Sequence, residues 1–523
     1  MQYAIKLSNN SNNDIFMKKL WFLACFMLSM SAFSQDSLTK EQMYEDFDHF
    51  CYIMKNANPQ LEVRKRVTGV DIMEKIYEKR ALIDTISDDS YFFDILSDAI
   101  IECNDEHCNP VVDSVRFSQI FNGDTLIVNR LIRKFRSTKS VLPYDYKPIM
   151  ISAFYDNDNY YNMTTYLESM DSFDCRKKIV DSVPIGAKII SVNGIPIHDI
   201  IKVNRYRSRW DNKRKKVYFH GRALYTPNNI GIDSLTVDYE YNGKLNKFVS
   251  SPDTYCLGTG GGGYFYASHG GGYAKYIDKE KALYIRLPIM FDDQSDVIIP
   301  QIHEECRGKE INKVIIDIRG NPGGSDDVWE RILSHIIRDT IKVDADIIAL
   351  NTKPVRDALV ERYGDTTFYE CDTVVVPLLG NREYLSYKWG NDIVPAKESL
   401  NYTGKIYLLQ NFNIYSSAGS FSNLANLFSD QIVTVGEPTG CLLGFGEGAF
   451  SFVLPNSNYI FEFNMFLDNT RVSKVYDFYH DNVEIPVEIP ISDRVLYDKF
   501  YRDIYTIDFL MEKDYLFRKV LEM

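Results

Sequence analysis

Apolar residues recur every three to four positions just after residue 40. In SLTKEQMYEDFDHFCYIMKNANP, the residues Met43, Phe47, Phe50, Cys51 and Met54 share one helical face. Thr39 and Gln42 form a capping box ahead of that face and Asn58-Pro59 ends it, so the pattern predicts a helix. A second helical region carries Ile72, Ile76 and Tyr77, and SYFFDILSDAII then leads into the polar, proline-closed loop ECNDEHCNP. From about 115 to 255 the pattern changes to short alternating runs, such as DTLIVNRLI and LTVDYEYNG, with Asp, Asn and Gly turns between them. These predict strands. Within that span VPIGAKIISVNGIPIHDII (183–201) reads as a strand, a tight turn at Asn193-Gly194, a proline-containing segment and a helix start. The stretch CLGTGGGGYFYASHGGGY (256–273) lacks a following Gly-Lys-Ser/Thr, so it is a loop at a boundary rather than a phosphate cradle. Beyond 274 the apolar runs KALYIRLPI, KVIIDIRG, GKIYLLQN and QIVTVGEPTG alternate with amphipathic helices, one of them running through Ile311 and one starting at Asp326. Buried strands separated by helices predict an α/β core whose strand ends carry the ligand site.

At 523 residues the chain exceeds one ordinary core, so two or three domains are expected. A net charge of -13 argues against a nucleic-acid surface, and the short basic run NKRKK (212–216) reads as a solvated face. Residues 17–34 have the order of a secretion signal: Lys18 and Lys19, the apolar stretch Leu20–Met30, then Ala32-Phe33-Ser34 as a cleavage site. The polar residues 1–16 are read as an upstream extension, and a lipoprotein reading at Cys25 fits less well because Leu stands where a small residue is expected. No later apolar run is long enough to span a bilayer. The expected location is therefore outside the cytoplasm, in the periplasm or beyond it. Export permits disulfides, with Cys103 and Cys108 as the nearest local pair; free buried thiols are the equal alternative.

Three segments have residue types suited to chemistry. In VIIDIRGNPGGSDD a strand ends near Asp317 and Arg319, and Gly323-Gly324 free the backbone to aim N–H groups at one point; an ordinary strand-to-helix turn fits equally. In IYSSAGSFSNLANLF the residues Ser416, Ser417, Ala418 and Gly419 enter a helix, where a serine is either a cap or a nucleophile. His107 lies in the acidic loop NDEHCNP and is either a general base or a surface histidine. A zinc site at Cys103, His107 and Cys108 is a third option, although no second ligand pair follows.

In order, DEHCNP, GAKIISVNGIPI, VIIDIRGNPGG, SSAGSF and VGEPTG make the chain resemble the tricorn-type and C-terminal-processing serine peptidases. The resemblance implies an α/β fold with a crotonase/ClpP-like core (274–523), an N-terminal helical domain (35–115), a β-rich PDZ-like middle domain (116–255) and the Gly-rich loop 256–273 between middle and core. It also implies Ser417 as nucleophile, His107 as general base, and N–H groups of Ala418 and of Gly323 or Gly324 as the oxyanion hole. The serine-lysine branch of the family has a lysine after its Gly-x-x-Thr-x-Gly segment, and GEPTGCLLGFGEG has none. The family's acidic residue that orients the histidine falls near Asp477, Asp481 or Glu484. Ser420 replaces the glutamate often found three residues after the nucleophile. The implied activity is hydrolysis of peptide bonds in a peptide or protein substrate, with no cofactor and no metal. The alternative is a catalytically silent, exported peptide-binding relative. Because 310 residues separate His107 from Ser417, either reading of His107 turns on whether two distant loops meet.

Overall fold

A computed structural model describes residues 37–523 apart from 104, 106, 138–152, 163–182, 204–208, 212–215, 221–234, 251–270, 365–370, 413, 440–447, 480–482 and 501–502. The expected leader and nearly all of the glycine-rich stretch lie outside the described residues.

The capping box forms as its residues dictate. Thr39 Oγ1 accepts from the Gln42 N–H, Gln42 Oε1 accepts from the Thr39 N–H, and helix α1 runs Lys40–Ala57. Helix α2 spans Gln60–Thr68 and α3 spans Ser90–Ile101, stopping where ECNDEHCNP begins. DTLIVNRLI departs from the expectation: it is not a strand but lies in helix α4, Thr125–Ser137. Asp124 caps it by accepting from the N–H groups of Leu126 and Ile127, and Val128 and Leu131 are buried while Leu126 is exposed. A capping aspartate and apolar spacing of three outweigh the short alternation.

The hairpin expectations hold. Leu235–Tyr241 pairs antiparallel with Lys244–Ser250 across Asn242-Gly243, and Lys188–Val192 meets Ile195–Pro196 across Asn193-Gly194. Both turns have φ between 50 and 75° at their two residues, the left-handed conformation that Asn-Gly supplies. These middle strands bury a small cluster of their own, including Ala153, Ile189, Val192 and Val237. Phe154 joins them to the rest of the molecule, 3.6 Å beneath the Arg494 guanidinium and 5.8 Å from the Phe412 ring.

The core sheet has six strands in chain order: β1 (Tyr273–Ile277), β2 (Ala282–Arg286), β3 (Lys313–Asp317), β4 (Ile406–Gln410), β5 (Ile432–Gly436) and β6 (Ile485–Pro486). The β1–β2 pair is antiparallel and all the others are parallel. Every residue of β2 and β5 is buried, as expected for strands covered on both faces. One face packs on helices α5 (Asp292–Cys306), α6 (Asp326–Ser334) and α7 (Ser417–Phe428), through Ile298, Ile302, Ile332, Phe421 and Leu424. The other is closed by the last two helices, whose Leu510, Leu516 and Phe517 meet Tyr284, Ile315 and Val433.

The N-terminal helices share the core's hydrophobic cluster rather than forming one of their own. Asn109–Pro110 pairs with Phe461–Glu462, Phe50 packs edge-on to Phe461 at 4.9 Å, and Asp46 accepts from the N–H groups of Asn456 and Ser457. This attachment brings the His107 loop to the sheet.

Candidate active site

β3 and β4 are parallel neighbours, so the loops that leave their carboxyl ends lie side by side, the usual location of a site in such a sheet. The first loop is held by a buried ionic network: Asp317 accepts from Arg319 at 2.6 Å and from the Tyr284 hydroxyl at 2.9 Å, and Arg319 also reaches Asp514 at 2.7 Å. Arg286 donates to the Asp317 and Arg319 carbonyls from below. Burial pushes the Asp317 carboxyl up, and the Arg319 and Arg286 charges overcome it, leaving the group below its ordinary value.

The second loop hydrogen-bonds directly to the first. The Gly320 N–H donates to Asn411 Oδ1 at 2.9 Å, and the Tyr415 N–H to the Asn321 carbonyl at 3.0 Å. A Cβ on Gly323 (φ 100°) would lie 2.6 Å from Ser416 Cβ and 2.8 Å from the Ser417 nitrogen, and one on Gly324 (φ 140°) 2.2 Å from the Met290 carbonyl oxygen. Only glycine permits both the conformation and the approach.

Ser416 sits at φ 51° and ψ −126°, a costly conformation for a non-glycine residue, and turns the chain sharply into α7. Its side chain makes no capping hydrogen bond. Ser417 opens the helix 4 % exposed, and its Oγ has no hydrogen-bond partner among the described residues. Leaving a buried hydroxyl unpaired costs about 1–3 kcal/mol, which a capping role would have avoided. The Asp326 carboxyl, at the start of α6, faces this hydroxyl outside hydrogen-bond geometry. Burial raises the Asp326 pKa, and Ser417 and the Trp329 indole N–H, at 3.1 Å, partly offset that.

The His107 loop arrives from the helical part. The His107 ring lies 4.8 Å from the Tyr415 ring, tilted by 46°, two residues before Ser417. Asp105 ties the loops together: Oδ1 accepts from the Tyr415 hydroxyl at 2.5 Å and from the His107 N–H at 2.8 Å, and Oδ2 faces Arg64 at 3.6 Å. Neither Asp105, Tyr415 nor Arg64 stands out in the sequence as a site residue. The Asp-x-His spacing, in which an aspartate accepts from the N–H two residues on, is the one local signal that points to Asp105.

The other expected residues are placed as follows. The Gly323 N–H donates to Asn321 Oδ1 at 2.8 Å and the Ala418 N–H to the Tyr415 carbonyl at 3.1 Å, while the Gly324 N–H makes no hydrogen bond among the described residues. Asp477 accepts from Ser473 and Lys474 within its own turn, and Asp481 lies outside the described residues. The Glu484 N–H donates to Thr434 Oγ1 at 3.0 Å. Cys103 and Cys108 are buried free thiols, so no disulfide joins them, and burial followed by the Cys103 contact pushes the Cys108 thiol up. Among the described residues no three His, Cys, Asp or Glu side chains gather as a metal site.

Residues 281–447, which contain both loops, match the model of peptidase family S41. The match takes in β2 to β5 of the core sheet. S41 enzymes are serine-type peptidases acting on peptides or proteins, and the S41 match spans β3, the glycine turn and α7. No curated protein matches the chain. Among solved structures, a mutant of CPAF shares 13% identity over 92% of this chain and 98% of its own, with a TM-score of 0.50. The photosystem II D1 C-terminal processing protease shares 12% identity over 87% of this chain and 95% of its own, TM-score 0.37. A peptidase-like protein from Parabacteroides merdae shares 13% identity over 87% and 93%, TM-score 0.39. At these identities the likeness to CPAF is one of fold alone.

Proposed function

We propose that the chain is an exported serine peptidase in which Ser417 is the nucleophile and His107 the general base, built on a crotonase/ClpP-like core with a PDZ-like middle domain. The packing of the His107 ring on Tyr415 supports this reading, because it brings the His107 loop against the loop that carries Ser417. Export rests on the basic, apolar and small-residue order of residues 17–34.

The chemistry follows from the parts. His107 takes the Ser417 proton, Oγ attacks the peptide carbonyl, and the imidazolium returns the proton to the leaving amine. Water then releases the acyl group. The Gly324 N–H is open to the developing oxyanion, and the Ala418 N–H at the start of α7 joins it by exchanging the Tyr415 carbonyl for substrate. Each such donor contributes about 3 kcal/mol to the transition state. Asp105 and Tyr415 position the His107 loop.

A fluorophosphonate probe tests the proposal. Labelling is expected in the wild type and in Ser422→Ala, and is lost in Ser417→Ala and strongly reduced in His107→Ala. Failure of the wild type to label would overturn the reading in favour of the silent peptide binder.

A further inference from the structure

Most buried carboxylates among the described residues face a cation: Asp317 faces Arg319, Glu437 faces Arg494, Asp89 faces Lys134, and Asp105 faces Arg64. The first turns of α6 break that habit beside the nucleophile. Asp326, Asp327 and Glu330 crowd together there, and no Lys or Arg among the described residues pairs with any of them. Burial and then the Asp326 and Asp327 charges push the Glu330 pKa up to about 7, with no cation offsetting them. Asp326 and Glu330 are half-buried and Asp327 is exposed, so the group opens to solvent. Its inner end is the Ser417 hydroxyl, which is buried, unpartnered and next to the Asp326 carboxyl. Trp329 fixes Asp326 through its indole N–H and stacks on Phe421 of α7 at 5.1 Å and 4°, so the carboxyl and the nucleophile helix are held as one unit.

We propose that Asp326, backed by Asp327 and Glu330, receives a Lys or Arg side chain of the peptide, on the residue whose carbonyl Ser417 attacks. This rests on the reading of Ser417 as nucleophile. Attack requires the carbonyl carbon about 3–3.5 Å from Oγ, and the open Gly324 N–H that would hold its oxygen lies two residues before Asp326. The residue that bears that carbonyl is therefore nearest the acidic group, and a cationic side chain there satisfies charge the protein leaves unpaired. An acidic side chain in the same place is repelled.

The test uses the full mature chain carrying Ser417→Ala, and three fluorescent decapeptides that differ only at one central position: Lys, norleucine or Glu. At pH 8 the Lys peptide is expected to bind at least ten-fold tighter than the norleucine peptide, with the Glu peptide weakest. Adding Asp326→Asn, which keeps the shape, should bring Lys and norleucine within two-fold, and Asp327→Asn with Glu330→Gln should reduce the ratio less. Equal binding of the Lys and norleucine peptides, or a ratio unmoved by Asp326→Asn, overturns the inference. A Lys preference that Asp326→Asn removes, in a protein whose wild type takes no fluorophosphonate, would show a cation-binding acidic group and overturn both the peptidase reading and the assignment of that group to the attacked residue.

Discussion

A single carboxylate, Asp105, decides where the His107 loop sits, since it accepts from Tyr415 and His107 and faces Arg64 at once. Tyr415→Phe deletes the hydroxyl that bridges the two loops and should cost about 1.5–3 kcal/mol, the range for a hydrogen bond to a charged group. Urea unfolding measures this, and an unchanged midpoint would show that the bridge contributes nothing. Asp94 makes a pH prediction. Burial and then the nearby Asp98 charge push its pKa up to about 7, so the native state holds a proton that the unfolded chain gives up at lower pH. Its effect is a loss of stability as pH rises from about 4 toward 7, complete above that. The thermal midpoint of Asp94→Asn should therefore exceed that of the wild type at pH 8, with the gap narrowing at pH 5. A gap that widens on acidification would contradict the assignment.

At the scale of elements, the site is two strand–turn–helix units laid side by side, and their glycines are not equivalent. Gly323→Ala places a methyl against Ser416 Cβ and the Tyr415 and Ser417 backbone, whereas a Cβ on Gly194 meets nothing within 4 Å. Both positions are left-handed, so conformational strain alone costs each about 1–2 kcal/mol. Gly323→Ala should reduce fluorophosphonate labelling at least ten-fold, and Gly194→Ala should leave it within two-fold. Equal behaviour of the two variants would mean that the loops are free to part. Sequence pattern was a good guide where one element satisfies itself, as in the Thr39 capping box and the Asn-Gly hairpins. It misled at DTLIVNRLI, where the burial of Val128 and Leu131 against the rest of the protein selects the helix over the alternating reading.

At the scale of the whole molecule, the first and last described helices converge on the sheet. Asp514, which caps the last helix, shares Arg319 with Asp317, and the first helices merge into the main hydrophobic cluster. Arg319→Met would leave two buried carboxylates without their shared cation and should destabilise the protein by about 3–5 kcal/mol in chemical unfolding. A loss under 1 kcal/mol would mean that Arg286 alone suffices for Asp317. The candidate site inherits this arrangement, since the loop that Arg319 holds carries Gly323 and Gly324.

The sequence by itself determined the elements with local logic, the alternation of strands and helices after 274, and the motifs around His107, Gly323-Gly324 and Ser417. Each of these depends on neighbours a few residues apart. Only the tertiary structure decided that the His107 ring rests on Tyr415, that Asp105 ties its loop to Tyr415, and that the Asp326 carboxyl faces the buried Ser417 hydroxyl. Those contacts join residues brought together by burial and by the parallel register of β3 and β4, and no local pattern encodes such a meeting.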